Sequence, residues 1–97
     1  MYVSVSRWSS NGTWNNDGFQ KAKDELWSKQ PGFDSMAMYD IVEGEHKGQR
    51  MTVIRFKDKA TFDIAYGAVK PELEELRADL EKNGTKREDL MRLEQVA

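Results

Sequence analysis

The chain has one histidine and no cysteine, so its chemistry must come from few side chains. His46 lies between Glu45 and Lys47 in the polar run Glu43-Gly44-Glu45-His46-Lys47-Gly48-Gln49. Imidazole titrates near neutrality and is the commonest general base, but a glycine-flanked turn reads as a solvated loop. Glu43, Glu45 and His46 are close in sequence. A flexible turn without a second histidine fixes no ligand geometry, so no metal site is expected. Without cysteine there is no disulfide, thiolate centre or thiol nucleophile. The chain shows no glycine-rich phosphate loop and no dinucleotide fingerprint, and one histidine does not make a Ser-His-Asp set. No cofactor is implied.

The aromatic and methionine set is fuller. Trp8, Trp27, Met36, Met38, Tyr39, Phe56, Phe62 and Tyr66 are many large or soft side chains for a small chain. They serve as core and dimer seam, or some of them line an apolar cleft. Methionine adapts to irregular ligands, while Tyr and Trp keep one polar handle for a carbonyl or hydroxyl. Arg55 is a charge on a largely apolar segment. It either pairs across a dimer or anchors a carboxylate or enolate. The candidate ligand-binding residues are Trp27, Met36, Tyr39, Arg55, Phe56, Phe62 and Tyr66. By contrast, Glu72, Glu74, Glu75, Asp79 and Glu81 read as a solvated helix face, with Arg77 pairing to Glu74 or Glu81 across a turn.

The elements that position these residues follow from periodicity. Tyr2 to Trp8 alternates, with Val3 and Val5 on one face and Ser4 and Ser6 on the other, as in a strand. Ser9-Ser10-Asn11-Gly12-Thr13 is turn chemistry, and Asn15, Asn16 or Asp17 can cap a helix. That helix is expected over 17–29, with Phe19, Ala22, Leu26 and Trp27 as its apolar stripe and Pro31-Gly32 as its stop. Strands are expected over 33–42 and 50–57, joined as an antiparallel hairpin. Asp58 caps a second helix carrying Phe62, Ala65, Tyr66 and Val69. A kink or restart is expected at Pro71, followed by Leu73, Leu76 and Leu80. Gly84 ends it, and 87–96 is the last strand.

The length of 97 residues suits one domain spanning 1–97. Hydrophobic residues are 38% and charged residues 33%, with ten aromatics in total from three Trp, three Tyr and four Phe. That is polar, yet not the composition of a disordered chain. The net charge of −2, with acids and bases interspersed, steers neither nucleic acid nor anionic membrane. No basic patch interleaves with aromatics as RNA binding would need. No apolar run approaches the ~20 residues of a membrane span, and the start lacks a signal-peptide pattern. A cytoplasmic protein is expected.

The order β-α-β-β-α-β is the ferredoxin-like unit, an α+β fold with a four-stranded antiparallel sheet and both helices on one face. Apolar residues occur on both faces of several strands, such as Val53 against Ile54 and Met36 against Ala37. A sheet apolar on both sides needs a second layer, and a second copy of the chain supplies it.

Two stretches carry a resemblance. Asp17-Gly18-Phe19, Ala22, Glu25-Leu26 and Gln30-Pro31-Gly32-Phe33 resemble the junction of helix one and strand two in the antibiotic-biosynthesis-monooxygenase-like superfamily. Ile54-Arg55-Phe56-Lys57-Asp58-Lys59-Ala60-Thr61-Phe62 resembles its third strand running into helix two. The resemblance implies a homodimeric α/β barrel, with a cleft in each subunit between sheet and helices. Its members include cofactor-free oxygenases of polycyclic aromatics and haem degraders. Haem degraders place an iron-ligating histidine on the second helix and an asparagine on strand one. This chain has neither, so haem degradation is disfavoured. Cofactor-free oxygenases use Asn, Trp, Tyr and Arg around the cleft. Trp27, Tyr39, Tyr66 and Arg55 supply three of those types.

Two readings follow. In the first, the chain binds a small apolar organic molecule between sheet and helices as a cofactor-independent oxygenase. In the second, it is a non-catalytic dimeric domain of the stress-response or small-ligand-binding kind. Lack of a clear acid, base or nucleophile favours the second. An enclosed cavity reaching a tyrosine or arginine favours the first.

Overall fold

Alternating side chains on Tyr2–Ser10, Phe33–Asp40, Arg50–Phe56 and Thr85–Glu94 become strands β1 to β4 in the computed structural model, which describes residues 1–97. The sheet order is β2-β3-β1-β4, and every neighbouring pair is antiparallel. This is the ferredoxin-like arrangement expected from the element order. The β2–β3 hairpin closes through Ile41 N–H to Gln49 O and Gly48 N–H to Ile41 O, both 2.9 Å. Strand β2 stops at Asp40, short of the expected residue 42, because that closure takes up Ile41.

The first helical segment is irregular. Helix α1 covers Asn16–Lys21, capped by Asn15 Oδ1, which accepts the Gly18 N–H at 3.0 Å. The backbone then widens into a π turn over Ala22–Leu26 and tightens into a 3₁₀ turn over Trp27–Lys29. The Trp27 N–H reaches the carbonyls of Ala22 and Lys23. The extra residue in the π turn rotates the following side chain relative to a regular helix, and Trp27 ends 3% exposed. At the stop, Gly32 has φ +86°, and a Cβ there would meet Thr61 Cβ and Oγ1 at 2.6 Å.

Helix α2, Lys59–Lys82, begins at a reciprocal capping box between Asp58 and Thr61. The expected restart at Pro71 is absent, and α2 runs through the proline. An internal proline removes one hydrogen bond and disfavours the helix by ~3 kcal/mol. Here Phe62, Ala65 and Val69 before it, and Leu73 and Leu76 after it, pack on one core from the same side. Burial along one continuous stripe outweighs the local penalty. Gly84 (φ +86°) ends α2, and β4 starts at Thr85, two residues before the expected start.

The core joins Tyr2, Ala22, Trp27, Met36, Phe56, Phe62, Ala65 and Val69. Phe56 and Phe62 are sealed from solvent. Phe56 meets Trp27, Phe33 and Phe62 edge-on, with ring centroids 5.5 to 5.8 Å apart, a favoured aromatic geometry.

The two sheet faces differ in cover. Tyr2, Ser4, Ser6 and Trp8 face the helices. Val3 and Val5, with Ala37, Tyr39, Met51, Val53, Met91 and Leu93, alternate onto the face that no element of this chain covers. Tyr39, Met91 and Leu93 there are 52%, 45% and 45% exposed. No helix is long and apolar enough to cross a membrane.

Candidate functional site: a cleft between helices and sheet

Serines on the covered face of a central strand leave room where larger residues would fill the layer. Ser4 and Ser6 are buried, and the helices bridge above them without closing the gap. A cleft of about 160 Å³ results, partly open to solvent. That is the size of a dry engineered cavity of roughly 150 Å³ able to hold benzene. Its floor is β1 (Ser4, Ser6, Trp8), flanked by Met36, Met38, Thr52 and Ile54. Its roof carries Phe19, Ala22 and Trp27, then Phe62, Tyr66, Leu73 and Leu76 of α2.

The polar groups fall into two kinds. Some are spoken for: Trp8 Nε1 donates to Thr52 Oγ1 at 3.1 Å, and Thr85 Oγ1 donates to Ser10 Oγ at 3.0 Å. Arg50 donates to Asp40 Oδ1 and Asn16 Oδ1, both at 2.7 Å, with its guanidinium 4.8 Å from the Trp14 ring centre. Others are free. The Ser4 and Ser6 hydroxyls make no hydrogen bond to protein, and neither is a sealed, unpartnered atom; both line the cleft.

Arg77, Arg87 and Arg92 also line the cleft. None has a carboxylate within 4.0 Å. The expected pairing of Arg77 with Glu74 or Glu81 is therefore not formed; Arg77 borders the cleft instead. Arg92 sits over aromatic faces, 4.6 Å from the Phe62 ring centre and 5.6 Å from that of Tyr66. Burial, first, and then the neighbouring Arg77 and Arg92 charges push the Arg87 guanidinium below its usual pKa. The only carboxylate lining the cleft is that of Glu74.

Of the candidate residues read from the sequence, the structure brings four to this cleft: Trp27, Met36, Phe62 and Tyr66. The rings of Trp27, Phe62 and Tyr66 are mutually stacked, at 5.6 to 6.4 Å. Phe56 lies beneath them, sealed in the core. Tyr39 and Arg55 alternate onto the uncovered face of the sheet, away from the cleft. His46 is in the β2–β3 turn, 3.8 Å from Glu45 and 40% exposed, bordering a depression on that same uncovered side with Arg7, Met51 and Asp89. No group of three or more His, Asp or Glu side chains is placed to hold a metal.

Sequence reasoning missed Ser4, Ser6, Arg77, Arg87 and Arg92. Ser4 and Ser6 were legible as one strand face, but valine opposite serine reads as core opposite solvent. Here the layers are reversed, because the valines form the uncovered face.

No family model matches the chain, and no curated protein does. Solved structures do. SnoaB from Streptomyces nogalater, described as a cofactor-independent oxygenase, matches in a single-substitution form with a TM-score of 0.73 at 14% identity, over 99% of this chain and 93% of that one. The monooxygenase ActVA-Orf6 of Streptomyces coelicolor, solved with the ligand nanaomycin D, matches with a TM-score of 0.63 at 18% identity, over 99% and 89%. A dimeric ferredoxin-like protein from an uncultured marine organism matches with a TM-score of 0.65 at 15% identity, over 100% and 96%. Strand order, helix placement and end-to-end coverage together show that the chain has the ferredoxin-like fold of these solved structures.

Proposed function

We propose that this chain, as one domain over residues 1–97, binds a small and largely apolar organic molecule in the helix–sheet cleft. The observation that carries this reading is the apolar cleft with two unpartnered hydroxyls, Ser4 and Ser6, on its floor. A packed core has no such opening: interiors hold few voids larger than a water, and both hydroxyls open onto the cleft rather than onto a protein partner. A volume of about 160 Å³ takes one aromatic ring, so a polycyclic molecule would extend through the mouth.

In its catalytic form, this reading is a cofactor-independent oxygenase. SnoaB and ActVA-Orf6, which share the fold, are described as oxygenases. Such chemistry needs a water-poor pocket and positive groups that stabilise a substrate anion. Trp27, Phe62 and Tyr66 supply the first, and the arginines supply the second. Fold alone does not carry activity. A non-catalytic ligand-binding domain is favoured by one observation: His46 is outside the cleft, which leaves Glu74 as its only ordinary base.

The chain acts as a homodimer in this reading. Tyr39, Met91 and Leu93 leave an apolar sheet face open, and a second copy covers it. A structural neighbour is described as dimeric.

Native mass spectrometry of protein purified from cells tests the proposal. The expected result is a dimer carrying a co-purified organic molecule, or one that takes up an apolar aromatic probe. An apo dimer that binds no such probe contradicts the cleft reading.

A further inference from the structure

Three positive charges line one cleft without an ion-pair partner. Arg50, the fourth arginine there, is neutralised by Asp40. Arg77, Arg87 and Arg92 have no carboxylate within reach, and no protein group accepts a hydrogen bond from them. Glu74, which shares the lining, forms no ion pair with them. Arg77 and Arg87 are half-buried and Arg92 is exposed; like charges brought together repel, and solvated arginines would normally splay apart. Here the fold positions Arg92 and Arg87. Arg92 lies over Phe62 and Tyr66, and Arg87 is turned inward by an irregularity in β4: Arg7 pairs with Asp89 and Trp8 with Arg87, so Glu88 is left over as a bulge. Glu88 is tied outward to Ser9 Oγ at 2.6 Å.

We propose that Arg77, Arg87 and Arg92 form an anion-anchoring subsite, and that the ligand is a planar aromatic acid whose carboxylate lies among the three guanidinium groups. This rests on the reading of the cleft as a ligand site. The ring of the acid enters the apolar end between Leu73, Leu76, Phe19 and Met36, within reach of the Ser4 and Ser6 hydroxyls. Guanidinium groups suit this role because their planar forks bind carboxylates in pairs and stack on rings. The like charges that repel one another in the free protein become favourable contacts once the acid is bound.

Calorimetric titration with 2-naphthoate and with its neutral counterpart, 2-naphthalenemethanol, at fixed ionic strength tests this. The acid is expected to bind at least ~10-fold more tightly, as charge-assisted hydrogen bonds imply. Arg77→Met and Arg87→Met should each weaken the acid roughly 10-fold and leave the alcohol within about 2-fold. Arg87→Lys should fall between, which keeps the test readable if a methionine variant folds poorly. The melting temperature of ligand-free Arg87→Met should not fall, which a structural role for the side chain would not give. Equal affinity for acid and alcohol in the unaltered protein overturns the anion subsite and leaves the cleft standing. Binding of neither overturns both. Full inhibition of naphthoate binding by equimolar inorganic sulfate shows a simple oxyanion site and overturns the aromatic part.

Discussion

Arg87 and Arg92 are five residues apart on β4 and line the same cleft. In a regular strand an odd spacing puts two side chains on opposite faces. The bulge at Glu88 shifts the register by one, so Thr85 and Arg87 join Leu90 and Arg92 on the helix side. A bulge re-aims side chains in this way.

Deleting Glu88 should therefore remove the bulge and leave Asp89 opposite Arg7 and Arg87 opposite Trp8 in regular alternation. The variant is expected to keep its sheet and helix signals in circular dichroism, to keep Thr85 against Ser10 and Arg87 on the helix side, and to bind 2-naphthoate within about 2-fold of the unaltered protein. Affinity as poor as that of Arg87→Met would contradict this register.

Gly32 is fixed by both conformation and space. Its φ is +86°, and an added Cβ would meet Thr61 at 2.6 Å, inside the capping box that starts α2. Gly32→Ala should destabilise by more than ~1 kcal/mol in urea unfolding. A smaller loss would mean that the helix start yields readily.

Acid should weaken the fold through two carboxyls. The backbone and hydroxyl of Thr61 hold Asp58 below its usual pKa, and the Ser9 hydroxyl does the same for Glu88. A depressed carboxyl contributes stability above its unfolded value and loses it as pH falls through the folded one. The melting-temperature gap between the unaltered protein and Asp58→Asn is expected to be full at neutral pH and to close below about pH 4. A gap independent of pH would remove the charge from the cap.

The uncovered sheet face carries the dimer expectation. Leu93→Glu with Met91→Glu places charge among Val3, Val5, Val53 and Tyr39 on that face. Sedimentation velocity should show a dimer for the unaltered protein, and association weakened about 100-fold or more in the double variant. A monomer in both cases would contradict the second copy.

The fold was legible because its signals are local and redundant. Alternation in Tyr2 to Trp8, the Asp58 cap and the Pro31-Gly32 stop each name an element unaided. Part of the cleft lining was legible too: Trp27, Phe62 and Tyr66 lie on helical stripes in the sequence and stack on one another in the structure. The rest depends on tertiary geometry. Nothing local marks Glu88 as an extra residue, so strict alternation separates Arg87 from Arg92. Pro71 argues for a break that packing on Phe62, Val69 and Leu76 overrides. Tyr39 and Arg55 read as cleft residues because strand alternation names two faces without saying which one the helices cover.

A crystal structure of the protein soaked with 2-naphthalenemethanol tests the cleft most directly, because the neutral probe needs no help from the arginines. The account predicts the ring between Phe62, Leu73 and Met36, with its hydroxyl on Ser4 or Ser6. A cleft closed by its own side chains, with the probe absent or bound elsewhere, would contradict it.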